Sequence, residues 1–185
     1  MKIVALGDSI TAGFPYGNHV SWTTVLAREL NCEVINQGID GDYTSGMRNR
    51  FGHDVLRYQP SHVTILGGSN DAAARIELTS VSANFIAMID MCRENNIVPI
   101  LCLQLPILET HGEHCLSQYR DWVRNYAAEN SIFLIDFYKP FMERVEAGQH
   151  RELYCDLAHP STAGYALMGE IVLEHIRNPD CQVFG

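Results

Sequence analysis

The chain has 185 residues, 46% hydrophobic and 19% charged, with a formal net charge of −9; Lys2 and Lys139 are its two lysines. That balance argues against a surface that tracks nucleic-acid phosphates and against attraction to anionic lipid, and leaves a neutral or cationic small molecule as the easier partner. The length favours one domain over 1–185, large enough to bury a core without disulfide staples.

The first apolar run, Ile3-Val4-Ala5-Leu6, reads as a buried strand that stops at Gly7-Asp8-Ser9. It is too short for a signal-peptide core or a membrane span, so a cytoplasmic location is expected. Phe14 to His19 is a loop with Pro and Gly, and Trp22, Val25, Leu26 and Leu30 recur at helical spacing over roughly 20–30. A short strand at 32–36 runs into Gly38-Ile39-Asp40-Gly41-Asp42, and Met47, Phe51 and Val55 mark the inner face of a helix starting at Thr44 or Ser45. Val63 to Leu66 is a third strand, ended by Gly67-Gly68-Ser69-Asn70-Asp71. A helix at about 79–94 follows, then an apolar strand at 97–103 of the kind covered on both faces. Residues 104–115 read as a polar loop, Leu116 to Tyr126 as a helix, and 132–137 as the fifth strand. Residues 138–155 are irregular or short helix, and 161–176 is the last helix.

Five alternations of strand and helix predict a parallel sheet with helices on both faces, because parallel strands need right-handed crossovers. The expected fold is α/β, a three-layer α/β/α domain of flavodoxin-like type with five parallel strands. Every glycine turn above then falls on one edge of the sheet, where open α/β sheets place their chemistry. The six cysteines, at 32, 92, 102, 115, 155 and 181, are far apart and mostly inside apolar runs, the pattern of reduced core thiols.

Ser9, Gly41 and Asn70 meet at that edge, and Asp156-Leu157-Ala158-His159-Pro160 approaches it before the last helix. A carboxylate three positions before an imidazole can hold its Nδ1–H, so that Nε2 serves as a base. A serine hydroxyl needs such a base to become a nucleophile. Acyl transfer further needs donors for the developing oxyanion, and the N–H of Ser9, the N–H of Gly41 and the Asn70 amide are the candidates.

These blocks resemble the GDSL esterases of the SGNH hydrolase superfamily. Gly7-Asp8-Ser9-Ile10 is similar to the first family block, Asn36-x-Gly38-x-x-Gly41-Asp42 to the second, Gly68-Ser69-Asn70-Asp71 to the third and Asp156-x-x-His159-Pro160 to the last. The resemblance implies Ser9 as nucleophile, His159 as base, Asp156 as its orienting partner, and Ser9, Gly41 and Asn70 as oxyanion donors. It implies hydrolysis of a small-molecule carboxylic ester through an acyl-enzyme, with no metal or organic cofactor. Sugar O-deacetylation and thioester cleavage would use the same machinery. Two positions depart from the pattern: Ile10 replaces the family leucine, and Asp40 stands where a small residue is usual, bringing a negative charge toward the oxyanion side.

The loops 14–19 and 104–115 overhang the site, and Pro15, Tyr16, Leu105, Pro106 and Ile107 are the apolar candidates for lining an acyl or alcohol pocket. Ser69 lacks the final glycine of a nucleophile elbow and reads as a turn residue. Cys155 is expected to be a buried, inert thiol. His111, Glu113, His114 and Cys115 have metal-ligand chemistry but no distant partner pair, and read as solvated lid residues. Two readings outside hydrolysis are a flavodoxin-like phosphate or nucleotide binder cradling its ligand with Ser9 to Gly13, and a receiver-type domain using Asp8 and Lys139. The first leaves Asp156 and His159 unexplained, and the second needs neither His159 nor Asn70.

Overall fold

The computed structural model describes residues 1–177 and Val183. Five strands, β1 (Lys2–Gly7), β2 (Glu33–Gly38), β3 (His62–Leu66), β4 (Val98–Leu103) and β5 (Phe133–Asp136), form one sheet. Their order is β2-β1-β3-β4-β5 and every pair is parallel. This is the flavodoxin-like doubly wound arrangement, with its topological switch between β1 and β3. Burial follows position. After their first residues β1 and β3 are wholly buried, whereas the edge strands β2 and β5 are mostly half-exposed.

Alternate side chains on each strand feed two cores, as the two-residue strand period requires. Val4, Leu6, Val63, Ile65 and Leu101 pack with Phe51, Phe85 and Leu116 on one face. Ile3, Ala5, Ile100 and Cys102 pack with Trp22, Phe137 and Met168 on the other. The first core lies under α3 (Thr44–Asp54), α5 (Leu78–Glu94) and α6 (Thr110–Glu129). The second lies under α2 (Trp22–Glu29), α7 (Tyr138–Glu146) and α9 (Thr162–Arg177). Short helices α1 (Ser9–Ala12), α4 (Ser69–Ala73) and α8 (His150–Leu153) fill the connections. Among the described residues, no helix is long and apolar enough to cross a membrane.

Several expectations are corrected. The segment 104–115 is not loop throughout: α6 begins at Thr110 and carries His111 to Cys115 in its first two turns. The cause is Glu109, whose carboxylate caps the helix by accepting from the backbone N–H of His111 at 2.8 Å and of Gly112 at 2.6 Å. A carboxylate there satisfies donors that the helix leaves free. The turn after Gly68 becomes α4, whereas residues 138–155 hold two short helices, α7 and α8, as expected. Cys92 and Cys102 are buried thiols, Cys32 and Cys115 half-buried and Cys155 exposed, all unpaired. Cys155 is therefore not the buried thiol expected, while Cys181 lies outside the described residues.

Candidate active site

The strand ends deliver the site. β1 stops at Gly7, and Asp8 turns the chain into α1 by accepting from the Ile10 N–H at 3.0 Å. Ser9 thus opens a helix instead of capping it, and its own N–H is among those a helix leaves without an internal acceptor. α1 lies hard against the end of β2: a Cβ on Gly38 would come within 2.2 Å of the Ala12 nitrogen. Asn36 fixes this contact from below, donating to the Thr11 carbonyl at 2.6 Å and accepting from Gly38 N–H at 2.9 Å.

Ser9 Oγ lies 2.9 Å from His159 Nε2, and His159 Nδ1 lies 2.7 Å from Asp156 Oδ2. The other Asp156 oxygen accepts from the N–H groups of Ala158 at 2.8 Å and His159 at 2.7 Å. Burial alone would raise the Asp156 carboxyl, but those two N–H groups and the imidazole outweigh it and hold the carboxyl below its usual range. The loop is closed by the Cys155 N–H donating to the His159 carbonyl at 3.0 Å. Phe14 packs on the imidazole at a ring separation of 4.6 Å. Ser9 is 6% exposed, so its hydroxyl is reached from the cavity and not from open solvent.

Asn70, on α4, donates to the Asp42 carbonyl at 2.9 Å. This bond ties it to the turn containing Gly41, whose φ of +75° belongs to the left-handed region that favours glycine. Arg50 fixes the same turn to the end of β1, meeting Asp42 at 2.7 Å, Asp54 at 2.9 Å and the Gly7 carbonyl at 2.9 Å. Asp71 ties α4 to the start of α3, accepting from Thr44 N–H at 2.9 Å and Thr44 Oγ1–H at 2.7 Å.

A cavity of about 270 Å³ opens at Ser9 and is lined by Ile10, Ser69, Asn70, Ala73, Ile107, Glu109, Gly112, Leu157, Ala158 and His159. Of the five apolar residues expected to line it, only Ile107 does so. Leu105 is 1% exposed and belongs to the second core. The Pro106 carbonyl is taken by the Tyr154 hydroxyl at 2.7 Å. Pro15 and Tyr16 are exposed outside this cavity, Tyr16 packing edge-on to Tyr165. Asp156 stands behind His159, and Gly41 adjoins the site through Asp42 without lining the cavity. Asp40 is exposed and likewise does not line it. Ser69 does line it, from the start of α4.

The lining residues missed in the sequence carry a partial signal. Ala73 follows Asn70 by three positions on one helix and so shares its face. Leu157 and Ala158 lie between Asp156 and His159. Glu109 and Gly112 carry none, because Pro106 and Gly112 give this stretch the pattern of a loop.

The alternative uses of the first turn find little room. The N–H groups of Ile10, Ala12, Gly13 and Phe14 are occupied by Asp8 Oδ1 and by the carbonyls of Asp8 and Ser9, leaving few to cradle a phosphate. Asp8 is 1% exposed. Glu113 is no solvated lid residue, since it pairs with the buried Arg120. Cys155 is exposed, yet the partial desolvation its neighbours impose raises its thiol above the ordinary range, with Asp156 adding to it, the opposite of an activated nucleophile.

Residues 5–167 match the model of the GDSL-like Lipase/Acylhydrolase family. A protein named "Uncharacterized lipoprotein YqeF" from Bacillus subtilis (strain 168) is 30% identical over 175 residues, covering 76% of this chain and 72% of its own length. An arylesterase from Vibrio mimicus is 23% identical over 180 residues, covering 95% of this chain and 88% of its own. The solved structure of a G-D-S-L family protein from Desulfitobacterium hafniense DCB-2, described there as a putative lipolytic protein, superposes with a TM-score of 0.82. It shares 32% identity, over 94% of this chain and 98% of its own. The chain belongs to the GDSL-like lipase/acylhydrolase family, and its class is that of the carboxylic ester hydrolases.

Proposed function

We propose that the protein hydrolyses esters of small carboxylic acids through an acyl-enzyme on Ser9. The observation that carries this reading is the unbroken chain from Ser9 Oγ to His159 Nε2 at 2.9 Å and from His159 Nδ1 to Asp156 at 2.7 Å. Asp156 holds the imidazole with its proton on Nδ1, so that Nε2 accepts the Ser9 proton as Oγ attacks the acyl carbonyl. The carbonyl π electrons move to oxygen, and the oxyanion is met by the Ser9 N–H, the Gly41 N–H and the Asn70 amide. His159 gives that proton to the alcohol oxygen as its bond to the acyl carbon breaks, leaving Ser9 acylated; it then takes a proton from water as the water oxygen attacks the acyl carbon, and returns it to Ser9 Oγ as the acid leaves. Ile10, Ala73, Ile107 and Leu157 give the cavity a largely apolar wall, suited to an uncharged acyl chain.

Labelling with a fluorophosphonate tests the assignment. Mass spectrometry is expected to place the phosphonyl group on Ser9, with no label on Ser9→Ala and labelling slowed at least about 10³-fold in His159→Ala. A folded protein that takes no label, or takes it on Ser69, would overturn the reading.

A further inference from the structure

The backbone of residues 105–108, which carries the cavity residue Ile107, is fastened at every residue. Arg120, on α6, donates to the Leu105 carbonyl at 3.3 Å. Tyr154 donates to the Pro106 carbonyl at 2.7 Å, and burial pushes its phenol far above the ordinary range, so the proton stays available. The Ile107 N–H donates to Glu113 Oε2 at 2.8 Å. The Leu108 N–H donates to the Leu157 carbonyl at 2.7 Å, joining the segment to the loop of Asp156 and His159.

Two of these four ties end on one ion pair. Glu113 accepts from Arg120 through its other oxygen, Oε1. The Arg120 side chain is 2% exposed, and its guanidinium lies 4.1 Å from the centre of the Tyr138 ring. A buried pair of this kind is a weak source of stability, because desolvation offsets most of its attraction. Here the pair spends its remaining hydrogen-bonding capacity on the backbone on either side of Pro106. Gly112, one residue before Glu113, lies on the cavity wall, and a Cβ built there would stand 3.7 Å from Ile107 Cδ1. Ile107 and the first turn of α6 thus form one continuous wall whose position depends on Glu113 and Arg120.

We propose that Arg120 and Glu113 are positioning residues that hold the Ile107 wall against α6 and thereby set the length of acyl chain the enzyme accepts. The proposal rests on the reading of this cavity as the acyl site. Neither residue lines the cavity, so neither acts on substrate directly. With the wall held, the acyl chain must fit the cavity as it stands; with it released, Ile107 can retreat and longer chains enter.

The decisive variant is Glu113→Leu/Arg120→Met. It removes both charges at similar volume, a replacement that buried ion pairs tolerate without loss of fold. kcat and KM are measured for p-nitrophenyl esters from acetyl to octanoyl. The ratio of kcat/KM for octanoyl over acetyl is expected to rise about tenfold, chiefly through KM, while acetyl turnover and fluorophosphonate labelling of Ser9 stay within about twofold of wild type. Glu113→Gln, which keeps an acceptor for the Ile107 N–H but loses the charge, is expected to move the ratio the same way by about threefold. A chain-length profile unchanged in the folded variants, or activity falling in parallel on every ester, would overturn the proposal; if the double variant does not fold, Glu113→Gln alone decides. Absence of label on wild-type Ser9 would instead bring down the acyl-enzyme reading.

Discussion

Asn70 Nδ2 carries two hydrogens, and one of them is engaged by the Asp42 carbonyl at 2.9 Å. On the mechanism proposed above, the other meets the oxyanion formed over Ser9, and the first bond fixes the direction of the amide. This preorganisation is what makes such a donor worth more in the transition state than in the ground state. Replacing Asn70 by Ala is therefore expected to lower kcat on an acetyl ester by about 10² to 10³, with KM changed by no more than a few-fold. Steady-state kinetics of Asn70→Ala alongside wild type measure this directly; near-full turnover would remove Asn70 from the oxyanion site. Ser9 illustrates what a short stretch of sequence does and does not reveal. A serine after a strand is most simply a helix cap, and the residue before it, Asp8, turns out to hold that role. Partners far along the chain, not the local pattern, distinguish the two.

At the scale of elements, the site depends on how short helices are tied to long ones. α4 has five residues and cannot be stable by its own hydrogen bonds. It is held by Asp71, 1% exposed, which accepts both the backbone N–H and the hydroxyl of Thr44 at the start of α3. In Asp71→Asn one of those acceptors becomes an NH₂ facing a donor, and a buried N–H or O–H loses its partner. A stability loss of about 1–3 kcal/mol is expected, read as a lower urea midpoint with an unchanged slope; an unaltered midpoint would show that α4 is anchored elsewhere. The element pattern was largely legible in the sequence, because apolar periodicity and glycine turns mark five strands and their crossovers. The start of α6 was not. Its signals, Pro106 and Gly112, are loop signals, and the capping by Glu109 is visible only once the first turn is built. Leu105 and Pro106 do not line the cavity for a related reason: a loop over the site can turn its side chains inward or down. Here Arg120, Tyr154 and Glu113 decide that Leu105 goes to the core and Ile107 to the cavity.

For the whole molecule, the doubly wound sheet ends its buried central strand β1 beneath the candidate site, and Asp8 bears the consequence. Its carboxyl is 1% exposed, one oxygen accepts from the Ile10 N–H and the other, Oδ2, is buried without a hydrogen-bond partner among the described residues. Burial pushes its pKa up from 3.8 to about 7, against the opposing pull of the Ile10 N–H and of His159. A carboxyl raised in the folded state binds more protons there than in the unfolded chain between these two values. Stability conferred by Asp8 is thus fully present below the unfolded value and declines as pH rises toward about 7. About three pKa units correspond to a change on the order of 4 kcal/mol across that window. Asn at position 8 keeps an acceptor for Ile10 and cannot ionise, so whatever fixed cost its buried NH₂ brings is the same at every pH. Urea unfolding of wild type and Asp8→Asn at several pH values between 4 and 8 is expected to show wild type losing stability relative to the variant by a few kcal/mol on going from pH 4 to pH 8. Parallel curves over that range would mean that Asp8 ionises as readily in the folded protein as in the unfolded chain.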